Sequence, residues 1–303
     1  MEGIVIAETK ERKDVYPSRR GDQPWSVIAR RDPVVYGELD QGPLTREQLT
    51  YFEDNGFLFF EGMFSHSEMQ EFLDEADNLR RHQPIGDERV VPEPDSQEIR
   101  SIFDIHRFSE VYGRLCANPM LSDVARQLLG SEVSIHQSRI NYKSGFQGKE
   151  FYWHSDFETW HVEDGMPQMR AVSCVILLSE NNEHNGPLMI IPGSHKLYIS
   201  CEGETPPDNY KRSLKNQVVG VPPTESLSMM VEKWGIHSMK GAAGSVVFFD
   251  CNAMHGSTAN MTPYPRNNLF FVYNSVENGL VQPYCGHEPR PNFIANRKIE
   301  PLS

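Results

Sequence analysis

A histidine and an aspartate, His154 and Asp156, are separated by one residue in an aromatic-rich part of the chain. On an extended strand, side chains two residues apart point to the same side, so an imidazole nitrogen and a carboxylate oxygen would converge on one point. A further histidine, His255, follows an apolar run at 244–250. Two histidines and one carboxylate on one face form the donor set of mononuclear non-haem iron(II) sites. The sequence therefore predicts a metal centre built from His154, Asp156 and His255.

Three protein ligands leave three adjacent positions on a six-coordinate iron. A 2-oxo diacid can occupy two of them and dioxygen the third, and the far carboxylate of the diacid then needs a cation. Arg266 follows His255 by 11 residues and precedes an apolar run that could return it to the metal. Arginine suits this task because its fork pairs two carboxylate oxygens at once. Lys143 is a second candidate cation, and the hydroxyls of Ser257 and Ser173 could add contacts.

Aromatic side chains are concentrated in the same parts of the chain. Trp160 lies a few residues after the histidine–aspartate pair, among polar residues, where an indole face could hold a small cation. In each of the apolar pairs Phe248/Phe249 and Phe270/Phe271, only one member can face a cavity, because successive side chains of a strand alternate. Most of these rings are therefore expected in the core.

The elements that must position these residues change character along the chain. Helices are predicted first, because capping boxes at 45–48 and 65–68 precede amphipathic segments. The predicted helices cover 45–55, 65 to about 81 and 109–129, the last one broken at Asn118–Pro119. Residues 57–60 predict a short buried strand, and the proline-rich stretch 83–98 predicts an irregular loop.

From about residue 132 the periodicity is that of strands. Val133, Ile135, Gln137, Arg139 and Asn141 are predicted on one face of the first long strand, and the polar end of this set indicates a wet cavity. Further strands are predicted at 171–178, 188–191, 244–250 and 268–274. Helices followed by strands, without alternation, indicate a mainly β fold with flanking helices, either a barrel or a double-sheet jelly roll.

The predicted domain organisation is simple. Residues 1–42 are interpreted as an N-terminal arm packed on the domain, and residues 43–303 as a single domain. A polar insertion at about 200–240, with a helix over 225–234, interrupts the strands. Insertions of this length in compact domains often act as lids.

Composition limits the classes of function. The net charge of −13 disfavours nucleic acid as a partner, because an acidic surface repels phosphates. No apolar run reaches the length needed to span a bilayer, and the N-terminus does not have the pattern of a secretory signal. A cytoplasmic location is therefore expected, with no membrane partner. The five cysteines are widely spaced and include no Cys-x-x-Cys pair, which predicts reduced, mostly buried thiols.

Several motifs resemble a known family. Asn185–Leu188 and Ile191–His195, together with the His154-x-Asp156 pair and His255, resemble the phytanoyl-CoA dioxygenase superfamily. The longer stretch Phe151–Pro167 is similar to the ectoine hydroxylases of that superfamily. Similarity to the ectoine hydroxylases extends to the segments 137–143, 263–270 and 274–278. The resemblance covers about residues 25–298.

This resemblance implies a double-stranded β-helix (jelly-roll, cupin-like) core, iron(II), 2-oxoglutarate as co-substrate and a homodimer. It implies that ectoine, a small zwitterionic cyclic amidine, is hydroxylated to 5-hydroxyectoine with O2. By position, the resemblance assigns 2-oxoglutarate to Asn141, Lys143, Phe151, Ser173, Ser257 and Arg266, and ectoine to Gln137, Arg139, Trp160, Phe249 and Phe270.

Two positions qualify the resemblance. Many related oxygenases have a serine two residues after the arginine, whereas this chain has Asn268, so Ser257 is expected to take over that contact. Halogenating relatives have a small residue at the carboxylate ligand, which leaves room for chloride. The aspartate at position 156 therefore favours hydroxylation.

Three alternatives remain open from the sequence. The protein could be a hydroxylase of the same superfamily that acts on a different small metabolite. It could be a metal-binding isomerase or a non-catalytic barrel, neither of which would release succinate. The histidines could also be structural, with residues 200–240 binding a partner.

Overall fold

The computed structural model describes residues 14–84 and 86–302 of the chain. The helices are α1 Arg46–Asn55, α2 His66–His82, α3 Ile105–Phe108, α4 Glu110–Cys116, α5 Pro119–Leu129, α6 Asp156–Thr159, α7 Tyr210–Ser213 and α8 Thr224–Trp234, with short 3-10 helices at Leu39–Gln41 and Ser194–Lys196 and a π-helical turn at Trp160–Asp164. The strands are β1 Ser26–Ala29, β2 Phe57–Phe60, β3 Val90–Pro92, β4 Ile99–Phe103, β5 Val133–Lys143, β6 Phe151–His154, β7 Ala171–Leu177, β8 Leu188–Ile190, β9 Leu197–Ser200, β10 His237–Ser238, β11 Val246–Asp250, β12 His255–Ser257 and β13 Arg266–Ser275.

A seven-stranded antiparallel sheet, in the order β2-β11-β7-β13-β5-β4-β3, forms the centre of the molecule. Its longest pairing joins β5 to β13, with Lys143 opposite Arg266 at one end and Val133 opposite Ser275 at the other. Helices α1, α2, α4 and α5 contribute apolar side chains to the main core, which also contains Ile140, Val172 and Phe248 from the sheet. One face of the sheet is thus covered by helices.

The other face packs against a smaller four-stranded sheet, in the order β10-β8-β12-β6. A second apolar cluster includes Phe57, Val175 and Phe249 from the large sheet and Leu188 and Ile190 from the small one. The two sheets are not closed into a barrel. The result is the expected mainly β fold, a double-sheet jelly-roll core with flanking helices.

The helix boundaries follow the capping signals of the sequence. Thr45 accepts a hydrogen bond from the backbone of Gln48, and Ser65 accepts one from the backbone of Glu68, so both predicted capping boxes are present. Helix α1 ends at Gly56, whose positive φ of 77° is readily adopted by glycine. The break at Asn118–Pro119 separates α4 from α5, as predicted, and Pro119 is the first residue of α5.

The prediction of one continuous face along β5 is wrong. A β-bulge shifts the register between Val272 and Tyr273, where β13 pairs with β5. The bulge reverses the alternation, because one extra residue moves every later side chain to the opposite face. Val133 and Ile135 therefore belong to the helix-covered core together with Ile140. Only the later part of the predicted face, which begins at Gln137, points into a cavity.

Regions without a strand pattern also form strands. β3 and β4 form a hairpin at the edge of the large sheet, although 83–98 was predicted to be irregular. Residues Pro92 and Pro94 interrupt the apolar alternation there, and proline is tolerated only at a sheet edge or a bulge. Pairing with β4, which itself pairs with β5, decides the conformation of this segment, and a sequence pattern does not reveal such pairing.

The N-terminal segment packs on the domain over its described part, residues 14–42. β1 pairs with β9, and Arg30 forms a buried ion pair with Asp250 at 2.8 Å. Residues 1–13 of the predicted arm lie outside the described residues. In the insertion at about 200–240, the predicted helix over 225–234 is α8, and α7 precedes it.

Two simpler expectations concern thiols and membranes. All five cysteines are free, and four of them are buried, as predicted. Among the described residues, no helix is both long enough and apolar enough to cross a bilayer.

Candidate active site

His154, Asp156 and His255 come together at one point between the two sheets. Their potential ligand atoms all lie within 4.8 Å of one another. Nε2 of His154 is 3.7 Å from one carboxylate oxygen of Asp156, and Nε2 of His255 is 3.9 Å from the other. Asp156 and His255 are buried. The three residues predicted to form a metal centre therefore converge.

Backbone contacts orient both imidazoles. Nδ1 of His154 lies 2.7 Å from the carbonyl oxygen of Tyr152, and Nδ1 of His255 lies 3.0 Å from that of Ala253. A carbonyl can only accept, so each Nδ1 must carry the proton. Each Nε2 is then left with a free lone pair directed at the common point, which is the tautomer that a metal ligand requires.

The way in which the elements supply these ligands differs from the prediction. His154 ends β6, whereas Asp156 is the first residue of α6, so the pair does not lie on one strand. His255 begins its own strand, β12, and stands directly opposite His154 in the β12–β6 pairing. The proximity of the ligands thus depends on strand pairing and on a turn from strand to helix.

The electrostatics of the site favour the neutral form of His255 and the ionised form of Asp156. Burial, reinforced by the neighbouring His154, lowers the pKa of His255 to about 4. Burial alone would raise the pKa of Asp156, but the charges of His255, Arg139 and His154 outweigh it and hold this pKa below its usual range. A neutral imidazole and an ionised carboxylate are the forms that bind a divalent metal.

A narrow cavity of about 40 Å³ adjoins His154 and His255 and extends between β5, β12 and β13. Four of the six residues assigned to 2-oxoglutarate line it: Asn141, Phe151, Ser257 and Arg266. Lys143 lies directly behind this wall, where its ammonium group donates to the hydroxyl of Ser257 at 2.8 Å. Asn268, the position at which many relatives have a serine, also lines the cavity.

The cations of this cavity have no anionic partner. Within the described residues, neither Arg266 nor Lys143 is within ion-pair distance of a carboxylate, and Nε of Arg266 has no hydrogen-bond partner. Burial, with Arg100 nearby, lowers the pKa of Arg266 to about 9. Burial, with Arg266 nearby, likewise places the pKa of Lys143 well below its ordinary value. Buried cations without partners are costly, so the cavity is suited to an anion.

A second, larger cavity of about 360 Å³ opens on the other side of His154 and Asp156. Three of the five residues assigned to ectoine line it: Gln137, Arg139 and Trp160. The guanidinium of Arg139 lies 4.4 Å from the ring centre of Phe270, which lines the narrow cavity instead. Arg139 lines both cavities and therefore lies at their junction.

Besides Lys143, two predicted contact residues line neither cavity. Phe249 is fully buried, and its ring packs against that of His255 with the centroids 4.8 Å apart. The hydroxyl of Ser173 lies 3.5 Å from a carboxylate oxygen of Asp156. Both residues support metal-ligand candidates from behind, and their contacts with small molecules remain predictions.

Several cavity residues gave no signal in the sequence. Arg290, near the C-terminus, lines the large cavity and makes a two-point ion pair with Asp164, at 2.7 and 2.6 Å. Glu163 and Asn209 line the same cavity. Arg100, on the unpredicted strand β4, lies 3.6 Å from the ring centre of Phe151. These residues lie in irregular or unpredicted segments, where no periodicity indicates a direction.

A jelly roll with two imidazoles and one carboxylate at the junction of an anion-accepting cavity and a wider one defines a class, the mononuclear non-haem iron oxygenases. Comparison with known proteins narrows this class. A model of the phytanoyl-CoA dioxygenase (PhyH) family matches residues 52–268. The chain belongs to this family, in its ectoine dioxygenase branch.

The branch is defined by close relatives. The ectoine dioxygenase of Bordetella bronchiseptica is 55% identical over 94% of this chain and 93% of its own length. That of Stutzerimonas stutzeri is 50% identical over 95% of this chain and 96% of its own length. The crystal structure of EctD from S. alaskensis with 2-oxoglutarate and 5-hydroxyectoine aligns with a TM-score of 0.86 at 47% identity, covering 96% of this chain and 97% of that one.

More distant structures share only the fold. The carbocyclase SnoK, at 18% identity, aligns with a TM-score of 0.59 over 77% of this chain and 85% of its own.

Proposed function

We propose that this protein hydroxylates ectoine to 5-hydroxyectoine, using iron(II), 2-oxoglutarate and dioxygen and releasing succinate and carbon dioxide. The reaction belongs to compatible-solute synthesis. The curated relatives named above are ectoine dioxygenases, and S. alaskensis EctD has been crystallised with iron and with 2-oxoglutarate and 5-hydroxyectoine. The geometry of this chain supplies a place for each component.

The metal would be held by Nε2 of His154, Nε2 of His255 and the carboxylate of Asp156. This donor set suits iron(II), since two imidazoles and one carboxylate occupy one face and leave the other open. Iron, when bound, activates dioxygen at the expense of the 2-oxo acid. The protein orients the substrate, and no side chain is required as a general base.

The narrow cavity would hold 2-oxoglutarate. Arg266 would pair with the far carboxylate in a two-point contact, for which the guanidinium fork is suited. Lys143 and Ser257 already share a hydrogen bond, so an anion there would be met by an ammonium group and a hydroxyl together. Binding would neutralise buried positive charge that has no anionic partner among the described residues.

The larger cavity would hold ectoine. Its carboxylate would face Arg139 and Arg290, two of the three arginines that line the cavity. The indole of Trp160 offers a face to the cationic amidine, and the amide of Gln137 offers a hydrogen bond. Because His154 lines both cavities, a substrate in the larger one lies beside the metal.

One observation carries the proposal. The metal-ligand candidates stand at the junction of two cavities, one with unpaired buried cations and one with an aromatic wall and guanidinium groups. A simple metal-binding barrel has no need of the first cavity. A two-substrate oxygenase needs both.

The test is succinate formation by the purified protein with iron(II), 2-oxoglutarate and air, with and without ectoine. We expect succinate to rise with ectoine, together with a product heavier by the mass of one oxygen atom. Proline, in place of ectoine, serves as the control substrate. Succinate that is independent of ectoine would remove the substrate from the proposal, and its absence with iron bound would remove the oxygenase class.

The setting of the enzyme is part of the proposal. We place it in the cytoplasm as a homodimer, with residues 43–303 as one domain, the N-terminal segment packed on it and the insertion at about 200–240 as a cover. Free, buried cysteines fit a reducing compartment. Light scattering coupled to gel filtration would measure the oligomeric state, and a monomeric mass at working concentration would contradict the dimer.

A further inference from the structure

A buried cluster of charges outside the metal centre connects the N-terminal segment to the larger cavity. The side chain of Arg19 is fully buried. Its guanidinium donates to Glu158 at 2.9 and 2.5 Å in a two-point contact, and it also donates to Glu163. One cation thus faces two carboxylates whose side chains are almost fully buried.

The backbone on both sides fixes the position of Arg19. The amide of Arg19 donates to the carbonyl of Cys201 at 2.8 Å, and the hydroxyl of Ser18 donates to Glu158 at 2.6 Å. Gly220 closes the cluster from the insertion. A Cβ added there would lie 2.1 Å from a terminal nitrogen of Arg19 and 2.6 Å from a carboxylate oxygen of Glu158, so no side chain fits.

Of the two carboxylate partners of Arg19, Glu163 lines the larger cavity, and Glu158 precedes the lining residues Thr159 and Trp160. Glu158 lies two residues after Asp156, on α6, and Glu163 lies in the π-helical turn that begins at Trp160. The carboxylate oxygen of Glu163 that accepts from Arg19 also accepts from the side-chain amide of Asn209, at 2.8 Å. Glu163, Asn209 and Trp160 all line the cavity, whereas Arg19 does not.

The cluster therefore links three separate parts of the chain at one wall: the N-terminal segment, the turn after the metal-ligand candidate and the insertion. A buried ion pair adds little net stability, because desolvation of the charges offsets their attraction. It does fix geometry, since a displaced partner leaves a charge buried and unpaired. π-Helical turns are also energetically poor and occur frequently at functional sites.

We propose that Arg19 is a positioning residue for ectoine: it fixes the α6 and π-turn wall and docks residues 205–220 over the cavity. This rests on the proposed function only for the identity of the substrate. The narrow cavity is lined by residues of β5, β6, β8, β12 and β13. Within the described residues, the hydrogen bonds and ion pairs of Arg19, Glu158 and Glu163 do not reach these strands. Disturbing Arg19 therefore affects the substrate and spares 2-oxoglutarate.

The experiment uses the iron-loaded enzyme with Arg19→Lys, which keeps the charge but loses the fork. We expect the KM for ectoine to rise about tenfold and kcat to fall less than about threefold, because the lost contact acts on binding. The dissociation constant of 2-oxoglutarate, titrated anaerobically without ectoine, stays unchanged. Arg114→Gln is the matched control, since its ion pair with Glu71 is exposed and neither residue lines the cavity.

A second variant tests the same cluster in case Arg19→Lys does not fold. Gly220→Ala pushes a methyl group into the fork without changing any charge, and we expect the same selective rise in KM. If both variants lower the melting temperature but leave the KM for ectoine unchanged, Arg19 is merely structural. An equal loss of affinity for ectoine and 2-oxoglutarate would also overturn the proposal.

Hydrogen exchange gives a readout that does not depend on turnover. In Arg19→Lys, residues 205–220 should exchange faster than in the wild type, while β5 and β13 keep their protection. Unchanged exchange in 205–220 would overturn the proposed docking. If the wild type shows no ectoine-dependent succinate, the assigned substrate fails separately, and this exchange result still decides whether Arg19 holds the cover.

Discussion

The two cavities that meet at His154 are built in different ways. The narrow one lies between long strands, whose register is fixed by backbone hydrogen bonds, with Lys143 directly opposite Arg266. The larger one is walled by short or irregular segments: α6, the π-turn, the insertion and the chain near Arg290. Its walls are held by buried ion pairs of Arg19 and Arg290. The comparison separates a cavity whose shape is fixed by strand pairing from one whose walls are held by buried ion pairs between distant segments.

The largest effect is expected from replacing Asp156, a metal-ligand candidate beside the point where the two cavities meet. Loss of a residue that merely hydrogen-bonds a metal ligand typically lowers metal affinity or activity about 10–100-fold. Asp156 is a candidate ligand itself, so we expect Asp156→Ala to lower iron affinity and turnover by more, about a thousandfold. Metal content and succinate formation measure the two effects. Activity retained with iron bound would show that Asp156 is not a ligand.

Arg266→Lys tests the narrow cavity alone. Lysine keeps the charge but cannot form the two-point contact, so we expect 2-oxoglutarate to bind about fiftyfold more weakly, with a change of less than about threefold in the KM for ectoine. Anaerobic titration measures the first and steady-state kinetics the second. Arg114→Lys serves as the control, because Arg114 lines neither cavity and its ion pair with Glu71 is exposed, and we expect normal 2-oxoglutarate affinity. If Arg266→Lys weakened the binding of 2-oxoglutarate and of ectoine equally, the two cavities would not act separately.

Trp160→Phe tests the larger cavity. A phenyl ring holds a cation less strongly than an indole, so we expect the KM for ectoine to rise about fivefold while 2-oxoglutarate affinity stays constant. Trp234→Phe is the control, since Trp234 lines neither cavity. A KM unchanged in Trp160→Phe would exclude the indole as the cation-binding face.

The smallest effect is expected from His195, which lines neither cavity and should alter only the pH dependence of stability. His195, fully buried, contacts the carbonyl of Glu53 with Nε2 at 3.1 Å, and burial lowers its pKa from the ordinary 6.5 to about 4. The folded state then binds fewer protons than the unfolded state between these values. Its stabilising contribution is present above pH 6.5 and is lost as the pH falls towards 4, at a cost of about 1–3 kcal/mol.

Urea denaturation of wild type and His195→Gln at pH 7 and pH 4.5 measures this difference, and the variant should show the shallower loss. Ligand affinities at pH 7 should be equal in the two proteins. Identical pH dependence of the free energy of unfolding would show that His195 is not buried in its neutral form.

The agreement between sequence and structure is uneven in an informative way. Helices α1, α2, α5 and α8 and the long strands β5, β7, β11 and β13 follow from capping signals and periodicity, which are local properties. Strands β3 and β4 do not, because they are ordered by pairing: β4 pairs with β5, and the proline-containing β3 pairs with β4. The bulge in the β5–β13 pair also has no sequence signal, and it moved Val133 and Ile135 from the expected cavity face into the core.

The candidate site shows the same division. His154, Asp156 and His255 were recognisable from residue type and spacing, and the motifs around them resemble a family to which the chain belongs. Arg290, Glu163 and Asn209 were not, because no local pattern shows that distant irregular segments share one wall. Phe249 had the right type and neighbourhood, yet it packs behind His255.

By itself, the sequence determined the chemistry of this protein: the donor set, the cations available for a 2-oxo diacid, the helix boundaries and the class of fold. Those features depend on residue identity and on contacts close in the chain. The tertiary structure alone decided which side of the candidate metal centre each residue faces. It also decided how the ion pairs of Arg19 and Arg290 hold the walls of the larger cavity. These features depend on strand register and on buried ion pairs between distant segments, and only the folded chain brings such groups together.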